Sequence, residues 1–267
     1  MQFGMCIGLQ TADSVQLSHL EEVKKAGADY VELPLASLMA LEESAFQEAV
    51  VKPLLNAGLP VYSLNVFMPG SLRLTGEQAD HAAATAYAKP ALARAEALGV
   101  KRVVLGSGGA RNVPGDFPLE KGLDQMREFL TLLGPVAESH GLQIVIEPLN
   151  RSESNIINTL TDAANLVREV DHPAIAALVD YYHMRLIDES NEGILKAGNL
   201  LQHTHLARPL GRSMPVYAAE EPYLAFFRAL KSADYKGNLS LEGSVPEPYF
   251  DSVRHALKLL RDVWAQA

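Results

Sequence analysis

Cysteine is almost missing from this chain: Cys6 is the only one among 267 residues. An internal disulfide is therefore excluded, and a reducing compartment is the expected setting. No apolar stretch reaches the roughly eighteen residues of a membrane-spanning helix. The opening Met1-Gln2-Phe3-Gly4 carries neither a basic segment nor a long apolar one. A cytoplasmic protein with no membrane partner is expected. Basic runs are also lacking and the net charge is −9, which disfavours nucleic acid as a partner. Internal repeats and low-complexity linkers are absent. Cys6 lies in the apolar run from Phe3 to Leu9, where a small buried core residue is expected rather than a nucleophile.

What is present is an alternation. Short apolar runs at 3–9, 29–33, 60–66, 101–106, 142–147, 174–180, 200–206 and 238–242 read as strands. Between them lie helical patterns at 14–26, 43–57, 77–98, 119–140, 160–170, 186–197, 220–233 and 247–265. Gly27, Gly58, Gly99 and Gly141 each stand between a helical run and a strand, where a glycine stop is expected. Thr75 with Gln78, and Thr161, read as helix starts. Runs such as Ile144-Val145-Ile146 and Ile175-Ala176-Ala177-Leu178-Val179 are continuously apolar, as parallel strands covered on both faces are. Eight strand–helix pairs without a composition break predict a single (β/α)8 barrel domain over residues 1–267. An open doubly wound sheet is the alternative. It would want a G-x-G-x-x-G turn after the first strand, and that turn reads Gly8-Leu9-Gln10-Thr11-Ala12. Trp264 and the C-terminal helix leave two options open, a subunit contact in a homodimer or homotetramer, or packing on the barrel.

Active sites of such barrels lie at the C-terminal strand ends. Strand five ends at Glu147, six at Asp180, seven at His205 and eight at Glu242. Taken singly, Glu147 reads equally as a carboxylate paired with a lysine, Asp180 as a helix cap, His205 as a core histidine and Glu242 as a rim carboxylate. Four such residues on neighbouring strands converge on one point, and three carboxylates there repel unless a cation sits among them. Three oxygens and one imidazole nitrogen suit Mn2+, Mg2+ or Co2+, with Zn2+ compatible. His203, two residues before His205, points to the same side one layer deeper. Asn65, at the end of strand three, reads either as pocket-facing or as a turn residue. Glu32, ending strand two, reads as a structural pair or as part of a network behind the ligands. Ser107-Gly108-Gly109 reads as a tight turn beneath a substrate rather than a phosphate cradle. Phe67 and Pro69-Gly70-Ser71-Leu72 read as a substrate wall or as plain loop packing.

These residues resemble a known pattern. Glu147-Pro148-Leu149-Asn150-Arg151-Ser152-Glu153 is similar to the E-P-L-N-R-x-E signature of ketose 3-epimerases of the tagatose/psicose type, within the xylose isomerase-like TIM barrel superfamily. Asp180-Tyr181-Tyr182-His183 resembles the D-x-x-H segment of that family. His203-Thr204-His205 resembles its H-x-H strand, and Leu241-Glu242-Gly243 its last metal glutamate. The order of these segments spans nearly the whole chain. The resemblance implies Glu147, Asp180, His205 and Glu242 as ligands of one divalent ion, with Mn2+ foremost, and Glu147 and Glu242 as an acid/base pair. Glu153 and His183 would bind substrate oxygens. The family's arginine follows a polar segment after the metal histidine. Here the chain reads Ala207-Arg208-Pro209-Leu210-Gly211-Arg212, so Arg212 is the expected substrate arginine and Arg208 the second choice.

The implied activity moves a proton next to a sugar carbonyl through a metal-stabilised enediolate, with epimerisation at C3. An inosose-type dehydratase and an aldose–ketose isomerase share the same chemistry. A DNA-repair endonuclease of the same barrel would want more metal histidines and a basic groove. A non-catalytic barrel would not require both glutamates.

Overall fold

The computed structural model describes residues 1–8, 17 and 19–267. Eight parallel strands close into a barrel in chain order: β1 (Phe3–Cys6), β2 (Val31–Pro34), β3 (Val61–Asn65), β4 (Arg102–Leu105), β5 (Gln143–Ile146), β6 (Ile175–Asp180), β7 (Leu201–Leu206) and β8 (Asn238–Leu241). β8 meets β1 through Phe3 with Leu239, Gly4 with Ser240 and Met5 with Leu241. Closure leaves no unpaired sheet edge.

Side chains alternate along a strand, so a buried parallel strand needs apolar residues on both faces. Val103, Leu105, Ile144, Ile146, Ala177 and Val179 join the main core between strands and helices. Val104, Val145, Ala176 and Leu178 form a separate small cluster, which alternation places inside the barrel on the side of β4 to β6. Two residues beyond Val145 stands Glu147, and two beyond Leu178 stands Asp180. The alternation that packs the interior therefore also aims both carboxylates into the barrel mouth.

Most strands fall within a residue of the apolar runs that predict them, but β1 stops at Cys6 and β2 is displaced to Val31–Pro34. Leu9, the start of the expected helix 14–26 and residues 9–12 of the first turn lie outside the described residues; that helix is seen as Leu20–Lys25. The four glycine stops adopt left-handed backbone, with φ of 105° at Gly27, 58° at Gly58, 73° at Gly99 and 65° at Gly141.

Three local readings are corrected. The helix expected from 77 begins at His81 and is capped by Asp80, which accepts from the Ala83 N–H at 2.8 Å. Thr75 donates instead to the carbonyls of Arg111 and Asn112, both at 2.9 Å. The helix Leu160–Val170 is capped by Thr159 in a reciprocal box with Asp162, not by Thr161. The expected helix 186–197 is two helices, Tyr181–Leu186 and Glu192–Ala197. Asp180 caps the first directly at the strand end, and Asp188 breaks the run at φ 52°. Trp264 packs edge-on against Phe227 at 5.5 Å between ring centres, so it is used within the outer helical layer. No helix of the described residues is long and apolar enough to cross a membrane.

Candidate active site

The C-terminal ends of the strands surround a wide cavity lined by Asn65, Glu147, Glu153, Arg212 and Glu242, among others. At its floor, one ligand atom each from Glu147, Asp180, His205 and Glu242 lies within 4.8 Å of the other three. His205 is the centre of this group. Its Nδ1 is 2.9 Å from Glu147 Oε1 and 3.5 Å from Glu242 Oε2, and its Nε2 is 2.9 Å from Glu32 Oε1. Burial opposes a charge on this imidazole, but Glu32, Glu242 and Glu147 together raise its pKa well above the ordinary histidine value.

The carboxylates occupy different environments. Asp180 spends Oδ1 on the Tyr182 N–H at 2.7 Å, so it is also a helix cap. Its Oδ2 is buried with no hydrogen-bond partner, and burial pushes its pKa up to about 6. Glu242 is also pushed up by burial, yet His205 and Arg212 overcome this and hold it at about 2. Both of its oxygens accept: Oε1 from Asn65 Nδ2 at 2.9 Å and Oε2 from Arg212 Nη2 at 2.8 Å. Asn65 thus faces the pocket.

Glu153 and His183 stand beside this floor. Asn150 donates its backbone N–H to His183 Nδ1 at 3.2 Å, which leaves the proton on Nε2. That nitrogen is buried without a hydrogen-bond partner, 3.7 Å from Asp180 Oδ2 and 3.9 Å from Glu153 Oε2. Arg212 reaches Glu153 at 3.4 Å and lies over the Tyr182 ring at 4.7 Å. Arg208 turns away to Ser213 and Glu220, so of the two arginines only Arg212 lines the cavity.

The residues present fit a divalent cation. An orphaned buried carboxylate oxygen, two further carboxylates and an imidazole nitrogen converge on one point in the pattern of a hard-ion site. Space is reserved for one of them: a Cβ at Gly106 would come within 2.2 Å of Glu147 Oε2.

A sequence profile described as xylose isomerase-like TIM barrel matches residues 20–263. The chain belongs to this family. Curated relatives include a D-psicose 3-epimerase of Ruminiclostridium cellulolyticum, 30% identical over 46% of this chain and 40% of that protein. Another is a 3-dehydro-D-guloside 4-epimerase of Escherichia coli, 33% identical over 49% of this chain and 50% of that protein. Each of these matches covers half of the relative's length or less. Among solved structures, the D-psicose 3-epimerase of Clostridium cellulolyticum H10 superimposes with a TM-score of 0.86 at 21% identity, covering 99% of both chains. That likeness is one of fold.

Within this xylose isomerase-like barrel, Cys6 sits differently from its sequence reading, whereas His203 lies where its spacing from His205 predicts. Cys6 is not a core residue: it is half-buried and lines the cavity, with a ligand atom within 4.8 Å of those of Glu32 and His205. Burial, then the charge of Glu32, raises its thiol pKa well above the ordinary value. Phe67 is fully buried and does not line the cavity, whereas Pro69 and Gly70 do. Ser107 spends its hydroxyl on the Met68 N–H at 3.0 Å. His203 lies one layer down, with Nε2 at 2.9 Å from Glu32 Oε2.

Glu32 is more than one member of a pair. It is fully buried and accepts from His205, His203, Ser63 and Ser240. Burial pushes its pKa up, but His205 and His203 outweigh this and keep it well below the ordinary carboxylate range. The sequence reading missed Arg111 and Gly106 altogether. Arg111 has its pKa lowered by burial to about 10, with the charge of Glu147 opposing.

Proposed function

We propose that this chain is a divalent-metal-dependent sugar epimerase that moves a proton on the carbon next to a ketose carbonyl, with C3 as the carbon inverted. The observation that carries this reading is the pair Glu147 and Glu242, 2.9 and 3.5 Å from the same His205 nitrogen but delivered by β5 and β8, three strands apart around the barrel mouth. Glu147, Asp180, His205 and Glu242 would hold the ion, and Mn2+ is our first choice. When bound, it would act as a Lewis acid that polarises the substrate carbonyl and screens developing negative charge.

The rest is the work of side chains. Glu242 is ionised and has its orientation fixed by Asn65 and Arg212, so it is ready to take the proton from carbon. The electron pair of the C–H bond becomes a C=C bond while the carbonyl π pair moves onto oxygen, giving an enediolate. Glu147 returns a proton to the opposite face, and the stereocentre inverts with no atom gained or lost. The two carboxyl groups end with exchanged protonation, which reverse turnover or exchange with solvent resets. The His183 Nε2–H, Arg212 and Glu153 would hold the hydroxyl groups that flank the reacting carbon. We place the protein in the cytoplasm, with a small sugar rather than a nucleic acid as partner, in keeping with the net charge of −9.

A second reading has its own support. The relative from Escherichia coli is a 3-dehydro-D-guloside 4-epimerase. A carbonyl at C3 makes the C4 proton acidic in the same way, and the same pair would invert that carbon. Turnover of free ketoses, aldoses, inososes and 3-keto-glycosides, before and after adding Mn2+ to chelator-treated protein, separates the readings. Solvent deuterium entering at C3 supports the first. Label at C4 moves the assignment to the second, while an aldose or a dehydrated product makes the enzyme an isomerase or a lyase. Glu147→Gln and Glu242→Gln should each abolish turnover with the fold intact, and full activity in either would refute the proton-transfer pair.

A further inference from the structure

We propose that Arg111 is a positioning residue that sets the backbone of Glu147 and, through it, the metal centre. This rests on the reading above, in which Glu147 is one of the ion's ligands. Arg111 closes a one-turn helix, Gly108–Arg111, directly after β4, and its side chain is fully buried. Its guanidinium donates from Nη1 to the carbonyls of Glu147 at 2.8 Å and Leu105 at 3.2 Å. Nη2 donates to the Ile157 carbonyl at 3.3 Å, and Nε to Ser154 Oγ at 3.4 Å.

These acceptors come from three places that must stay in register: the end of β4, the end of β5 and the far side of the loop carrying Asn150 and Glu153. Each acceptor is a carbonyl or a hydroxyl, not a carboxylate. Burying a guanidinium in that way is costly, and a stable loop would be built more simply from apolar side chains. A planar fork of donors offers directional control at several points at once.

Glu147 is the residue most tightly held by this arrangement. Its N–H donates to the Leu105 carbonyl at 3.2 Å, the same oxygen that Arg111 binds. Its own carbonyl is held by Arg111. Its carboxylate lies against Gly106, where a Cβ would come within 2.2 Å of Oε2. With the backbone fixed on both sides and the carboxylate seated in a glycine notch, Glu147 has little freedom to lose on binding an ion.

Asn158 provides the comparison. It is buried in the same loop and donates to the carbonyls of Leu149 at 2.7 Å and Ser154 at 2.8 Å, and none of these bonds is to Glu147. Mn2+ affinity is measured by calorimetry on chelator-treated wild type, Arg111→Lys and Asn158→Ala, with the visible spectrum of the Co2+ form and a thermal melt for each. Lysine keeps the charge but cannot hold four acceptors. Arg111→Lys should weaken Mn2+ by about 10- to 100-fold, the usual effect of losing a partner behind a metal ligand, and should change the Co2+ bands. Asn158→Ala should melt earlier yet hold Mn2+ within about threefold of wild type.

Wild-type affinity and an unchanged Co2+ spectrum in Arg111→Lys would overturn the inference, as would an equal loss in Asn158→Ala, which would make the effect one of general loosening. Wild type that binds no Mn2+ would overturn the metal reading and this inference with it. Should Arg111→Lys fail to fold, Ser154→Ala removes the Nε acceptor together with the local bonds between Ser154 Oγ and the Ile156 backbone, and leaves the Nη1 bonds to Glu147 and Leu105 in place. A loss of about threefold or more in affinity then supports the proposal, and no loss overturns it.

Discussion

Replacing Glu32 by glutamine tests how the polar layer beneath the site governs the site itself. Glu32 Oε1 accepts from His205 Nε2, while Oε2 accepts from His203, Ser63 and Ser240. Glutamine keeps the shape but has only one acceptor end. If the oxygen stays with the three donors at Oε2, the new NH2 group faces His205 Nε2 and forces that nitrogen to accept. The ring proton then moves to Nδ1, the nitrogen that faces Glu147 and Glu242, where it blocks coordination. If the amide flips, three donors meet an NH2 group instead.

Both outcomes break a buried charged network, for which a loss of about 3–5 kcal/mol is typical. At about 2–4 °C per kcal/mol for a large domain, the melting temperature should fall by roughly 6–20 °C. Mn2+ should bind about 10- to 100-fold more weakly. Calorimetric titration with Mn2+, paired with melts in chelator, reads both numbers. A lowered melting temperature with unchanged Mn2+ affinity would refute the reasoning, since Glu32 would then hold the barrel together without setting the histidine.

Two further outcomes follow from the same geometry. Without an ion, the His205 ring is a double donor between carboxylates with its pKa raised, and Asp180 holds its proton up to about pH 6; an ion must displace both protons. Calorimetry in buffers of different ionisation heat should therefore show about one proton released per Mn2+ at pH 7, approaching two near pH 5, with affinity falling steeply below about pH 6. Heats that do not depend on the buffer would contradict this. Val66 lines the cavity half-exposed, with φ of 47° in a β-branched residue. Val66→Gly should relieve about 1–3 kcal/mol of strain against roughly 0.5–1 kcal/mol of backbone entropy. The melting temperature should rise by a few degrees, and a fall would show that the left-handed turn is not strained.

Strands such as β5 and β6 were readable because a parallel barrel strand covered on both faces can be continuously apolar. Their ends were harder to place. Glu147 and Glu242 lie one residue past the last residue of β5 and β8, so the cavity-lining carboxylate begins where the ladder stops. Helix starts failed where a hydroxyl had a competing partner: Thr75 looks like a cap but serves the loop that carries Arg111. The segment after β6 failed because Asp180 does two jobs, aiming Oδ2 into the barrel and capping a helix with Oδ1. A pattern search that gives each residue one role cannot see the second.

The polar layer explains both what was legible in the site and what was not. Convergence of Glu147, Asp180, His205 and Glu242 follows from strand order and alternation alone. The partners of Glu32 do not, because they stand 31, 171 and 208 residues away in Ser63, His203 and Ser240. A signal was nevertheless present. Ser63, His203 and Ser240 each come two residues before a cavity-facing polar residue, namely Asn65, His205 and Glu242. Alternation then requires them to point inward one layer below. Three polar side chains inside an otherwise apolar barrel need a buried acceptor, and Glu32 is the carboxylate near the end of β2 that the same alternation turns inward. The alternation that brings Glu147, Asp180, His205 and Glu242 together therefore also brings Glu32 beneath them. Arg111 lies beyond such reasoning, because its place depends on loop backbone whose course no strand period describes.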